Sequence, residues 1–186
     1  MLDTIELLID EENDKPGVFA ISLVEFPAIE SNFVALSDHK IELKTIDEDK
    51  RLVMGVILKA DKKIFRKRGD YEYNIIFNKD TVRKASQIYL REVRNHNTKV
   101  DHKAMAEGVY LTESWVVEDL EKDKTALYGL NASVGDWAGT MKVDNDEIWK
   151  SVKEGHFLGF SIEGLFDEKP VDQYKEKWEQ IKKILS

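Results

Sequence analysis

Hydrophobic positions along this chain recur mostly as short runs and alternations, the period-two pattern of strands, with a clear 3.6-residue stripe near the middle. Ile5 to Ile9, Val18 to Val24 and Arg51 to Lys59 read as strands. Phe26-Pro27 breaks the chain after the second, because proline lacks the amide a ladder needs, and Ala28 to Leu36 follows as another apolar stretch. Tyr71 to Phe77 is strand-like after the Gly69-Asp70 turn signal. The basic cluster Lys59 to Arg68 therefore reads as part of a solvated hairpin, with a docking patch for an acidic partner as the lesser reading. Asn78 can cap a helix beginning at Lys79, in which Val82, Ala85, Tyr89 and Val93 form a core-facing stripe. Thr98 to His102 reads as a further strand. Val109 to Glu118 alternates, with Val109, Leu111, Glu113, Trp115 and Val117 on one side. Thr140 to Val143 is a strand, and Asn145 to Glu154 a short helix stopped by Gly155. Pro170 suits the first turn of a last helix, about 171–185, carrying Tyr174, Trp178, Ile181 and Leu185. Many strands with a few interspersed helices predict an α+β fold, a small barrel-like or strongly curved sheet surrounded by helices.

Composition narrows the function. At 186 residues the chain reads as one domain, 1–186, long enough for a sizeable core. A net charge of −8 disfavours nucleic acid as a partner. The absence of cysteine excludes disulfides and a cysteine nucleophile. No apolar run approaches the roughly 20 residues of a membrane span, and the opening residues do not read as a signal peptide. Four scattered histidines without cysteine argue against a zinc site, no glycine-rich phosphate loop precedes a Lys-Ser or Lys-Thr pair, and neither metal nor cofactor is expected.

The stretch His156 to Phe166 concentrates the candidate chemistry. As a strand it sends Leu158, Phe160, Ile162 and Phe166 to one face, and Gly159, Ser161, Glu163 and Leu165 to the other. Ser161 is then rigidly held with little bulk around it, as a nucleophile requires, although most strand serines are merely small residues bonding locally. The spacing Gly159-Phe160-Ser161-Ile162-Glu163-Gly164 is not the G-x-S-x-G elbow of the α/β-hydrolases.

Several segments in order carry a more specific signal. Ala20 to Glu30 comes first, then His102, then Glu113-Ser114-Trp115-Val116-Val117-Glu118-Asp119, then Gly139 to Gly164 with Gly159 to Gly164 at its end. Together they resemble the phage prohead maturation proteases, specifically the XkdF-like branch of the capsid-processing serine proteases, over about residues 5–168. The resemblance implies an assemblin-like fold, as in the herpesvirus assembly protease: a small β-barrel ringed by helices. It implies a serine endopeptidase with Ser161 as nucleophile and His102 as general base.

The third member is open among Glu113, Glu163 and Asp136, with Glu113 ranked first; Asp101, adjacent to His102, would point to the opposite face of a strand. His39, His96 and His156 rank below His102. Backbone amides near Gly135, Gly139 or Gly159 are the candidate oxyanion donors. The resemblance also implies the major capsid protein, the scaffold and the chain itself as substrates. It places the work in the host cytoplasm inside the assembling prohead, with regulation by homodimerisation or packing. The alternative is a catalytically inactive capsid or scaffold component that keeps the fold.

Overall fold

A computed structural model of the chain describes residues 2–25 and 43–171. The first apolar runs form β1 (Asp3–Leu8), β2 (Gly17–Val24), β3 (Lys44–Asp47) and β4 (Leu52–Leu58). The basic hairpin follows as β5 (Ile64–Arg68) and β6 (Tyr71–Ile76), then helix α1 (Lys79–Arg91), β7 (Thr98–Val100) and β8 (Ala104–Met105). The second half comprises β9 (Val109–Val116), α2 (Lys124–Leu127), β10 (Trp137–Val143), α3 (Asp146–Lys153), β11 (Gly159–Leu165) and β12 (Asp167–Pro170).

These strands make three four-stranded sheets, in the orders β12-β1-β6-β5, β3-β4-β10-β9 and β11-β2-β7-β8. Strand accounts for 44% and helix for 18% of the described residues, and no sheet closes into a barrel. The expected helix-surrounded α+β barrel is thus replaced by a mostly β architecture. Closure needs the outermost strands of a sheet to pair with each other, and several here are too short: β8 has 2 residues, β3 and β12 have 4 each. Among the described residues the helices are also too few to form a surrounding layer, since α2 is a single turn of 4 residues and α3 has 8.

One buried cluster joins all three sheets, with Val18 and Ile21 of β2, Val53 and Ile57 of β4, Tyr73 and Ile75 of β6, Trp137 and Met141 of β10, and Phe160 of β11. Helix α1 covers it with Val82, Ala85 and Tyr89, and the Tyr89 ring meets Trp137 edge-on at 5.5 Å. Asn78 caps this helix by accepting the Thr81 amide at 2.7 Å. The stripe stops before Val93, which lies beyond the helix with φ 55° and is exposed. Pro170 closes β12 instead of opening a helix, and the Val171 amide donates to the Thr4 carbonyl at 2.9 Å. The expected strand region 28–36, His39 and the rest of the expected last helix lie outside the described residues.

A bulge changes the reading of β9. The β10 register steps from Thr140↔Glu113 to Met141↔Leu111, so Thr112 is an extra residue and the alternation inverts there. Val109 and Leu111 face the core, but Glu113 turns outward while Ser114 accepts the Trp137 indole N–H at 2.9 Å.

Asp136, entering β10, is fully buried and saturated with donors. The Ala60 and Ser133 amides donate to its two oxygens, each at 2.8 Å. Buried Lys59 lies 3.6 Å away and donates to the Asn131 carbonyl at 2.7 Å. Lys59 is therefore part of the interior, not of the basic hairpin surface. Asp136→Ala leaves Lys59 without its counter-charge and strands two amides, which is expected to cost about 3–5 kcal/mol in urea unfolding.

Candidate active site

The site is built on the sheet β11-β2-β7-β8, and its geometry follows from burial on the other face. Ile21 and Leu23 of β2 and Phe160 of β11 are completely buried in the core. Period two then turns Ala20 and Ser22, Ser161 and Glu163 to the opposite face. The antiparallel register sets Ser161 across from Ser22 and Glu163 across from Ala20. On its other side β2 runs parallel to β7, with Lys99 in register with Ser22. Only small side chains on β2 therefore separate the functional groups of its two neighbours.

His102 reaches this face through a turn, not a strand. The Lys103 amide donates to the Val100 carbonyl at 2.9 Å, and the two residues between have φ of 47° (Asp101) and 57° (His102). Positive φ at both central positions is the type I′ pattern, whose twist suits a hairpin. Asp and His tolerate the left-handed region better than most residues, yet each still carries some strain. The turn is tied to the end of β2: the Asp101 amide donates to the Leu23 carbonyl at 3.0 Å, and Asp101 Oδ1 accepts the Glu25 amide at 3.3 Å.

The His102 ring nitrogen Nδ1 lies 3.0 Å from Glu163 Oε1 and 3.2 Å from Ser22 Oγ. Lys99 Nζ donates to the other Glu163 oxygen, Oε2, at 2.7 Å. Burial pushes the Glu163 carboxyl pKa up, but the hydrogen bonds from Lys99 and His102 outweigh it and hold the group below its ordinary value. An ionised carboxylate only accepts, so Nδ1 carries the proton and the lone pair stays on Nε2. That is the tautomer a general base needs.

Two serines share this face: Ser22, in contact with the ring, and Ser161, across from Ser22 in the register. Ser22 is completely buried, whereas Ser161 is half-buried on a strand at the edge of its sheet. Among the described residues no hydrogen bond joins the Ser161 hydroxyl to His102, and such bonds are often loose without substrate. Only Ser161 combines the right face with access.

The remaining candidates separate clearly. Glu113, moved to the outer face of β9 by the bulge, is gripped by Lys124 at 2.6 and 2.7 Å, which lowers its pKa. The carboxylate that the fold brings to His102 is Glu163 instead. Asp136 is committed to Lys59 and its two amides. His96 stacks on Tyr110, and His156 is exposed beside Glu154. The Gly135 amide already donates to the Val117 carbonyl at 2.8 Å, and Gly139 is paired between β4 and β9. Gly159, in register with Val24 on β11, is the candidate oxyanion position that shares a strand with Ser161. Among the described residues no group of three or more His, Asp or Glu side chains converges as a metal site would.

Sequence reasoning missed Ser22 and Lys99. The signal was present in Ala20-Ile21-Ser22-Leu23 and Thr98-Lys99-Val100, where small or polar residues alternate with apolar ones inside strands flanked by β-rich sequence.

A family model described as "Putative phage serine protease XkdF" matches residues 40–169. The match takes in Lys99, His102, Ser161 and Glu163, while Ser22 lies before it. No curated protein and no solved structure matches the chain.

The Glu163 hydrogen bonds also make a stability prediction. A carboxyl whose folded pKa is depressed contributes fully above its unfolded value, ordinarily 4.5, and loses that contribution as pH falls through the folded value. Glu163→Gln is expected to lower the urea midpoint at about pH 6 and to shrink the loss seen between there and about pH 3. An acid limb identical in both proteins would show that the carboxylate is not held as described.

Proposed function

This chain belongs to the XkdF family of phage serine proteases, and we propose that it is a capsid-maturation serine endopeptidase with Ser161 as nucleophile, His102 as general base and Glu163 as the carboxylate that orients the base. The observation that carries the reading is the 3.0 Å contact between His102 Nδ1 and ionised Glu163, on the strand that also presents Ser161.

The chemistry is acyl transfer. As Ser161 Oγ bonds to the substrate carbonyl carbon, its proton passes to His102 Nε2, and the imidazolium is stabilised by Glu163 through Nδ1–H. The carbon–nitrogen bond then breaks as the imidazolium protonates the leaving amine. Water repeats the cycle on the acyl-enzyme, giving its proton to Nε2 and releasing the carboxylate product. Ser22, too buried to meet a substrate, braces the ring from the side of β2.

Scaffold, extensions of the capsid protein and the chain itself are the proposed substrates, cleaved within the assembling prohead in the host cytoplasm. Family membership supports this reading, since a phage protease acts among the proteins of particle assembly.

Co-expression with the cognate capsid and scaffold proteins, read by intact mass, tests the assignment. Discrete cleavage products are expected from wild type and from Glu113→Ala. Ser161→Ala and His102→Ala should each reduce cleavage by about a thousandfold or more. Identical masses in all four, with co-assembly intact, would identify a non-enzymatic component of the particle instead.

A further inference from the structure

Resting on that assignment, we propose that Lys99 is a positioning residue for the site: it clamps the second oxygen of Glu163 and so fixes the carboxylate against His102.

The clamp crosses a strand. Lys99 on β7 and Glu163 on β11 lie two strand spacings apart, about 10 Å between backbones. Their side chains still meet at 2.7 Å, over Ala20 and Ser22 of β2. A larger residue at either β2 position would stand in the way. The Lys99 and Glu163 side chains are 26% and 20% exposed, so the pair is screened less than a surface ion pair. A glutamate held at one oxygen can still rotate about its last torsions; held at both, it presents Oε1 to Nδ1 in one orientation.

Lys99→Met and Lys99→Arg, measured beside wild type and Ser161→Ala, test the inference. Cleavage of the cognate scaffold gives the rate profile. In Lys99→Met, kcat is expected to fall about tenfold with KM unchanged. Lys99→Arg should restore it. An unchanged kcat in Lys99→Met, or a failure of arginine to rescue, overturns the proposal.

Nitrogen-15 chemical shifts of the His102 ring give a readout independent of proteolysis. The Nδ1–H tautomer should dominate in wild type and Lys99→Arg, and give way to a mixture in Lys99→Met. If Ser161→Ala cleaves like wild type, the functional assignment fails, and the ring shifts still decide whether Lys99 orients the pair. An unchanged tautomer in Lys99→Met rejects the clamp.

Discussion

A carboxylate with only a fifth of its side-chain surface in water must be met by donors, and the candidate site depends on how Glu163 is met. One oxygen takes His102 Nδ1–H and the other takes Lys99. The first contact decides where the imidazole proton sits, and so which ring nitrogen can accept another. The second keeps the carboxylate ionised despite its burial. Removing either donor would leave a desolvated charge poorly compensated, so the groups stand or fall as a set.

Strand β2 makes that arrangement available. Its core face, Ile21 and Leu23, is completely buried and pins the register of β7 on one side and β11 on the other. Its opposite face carries Ala20 and Ser22, small enough for Lys99 and His102 to reach across. The left-handed conformations of Asp101 and His102 bring the ring back over this face. Strain of this kind persists only where surroundings over-determine it, and the bonds to Leu23 and Glu25 do so here. Rigid burial on one side of the sheet thus positions the chemistry on the other.

Local patterns in the sequence were a good guide to local structure and a poor one to long-range pairing. The alternations at Ile5–Ile9, Val18–Val24, Arg51–Lys59 and Tyr71–Phe77 correspond to strands, and Asn78 marks the start of α1. Parity alone places Ser161 and Glu163 on one face of β11. Sheet closure is a different matter, because it depends on which edges pair, and nothing in a strand's own composition states that. Glu113 illustrates the same limit: one extra residue at Thr112 inverts the alternation and sends its carboxylate to Lys124. Asp101-His102 was legible as a turn from the left-handed tolerance of both residue types, but a strand reading hid it. Lys99 was invisible because its partner is two strands away in space and 64 residues away in the chain.

Labelling with a fluorophosphonate, followed by peptide mapping, tests most directly whether His102 activates Ser161. A serine hydroxyl reacts by displacing fluoride and bonding to phosphorus, and it does so readily only when a base takes its proton. One adduct is expected, on the peptide containing Ser161, and it should disappear in His102→Ala. An adduct on Ser22, or the same labelling of Ser161 with and without His102, would contradict the account.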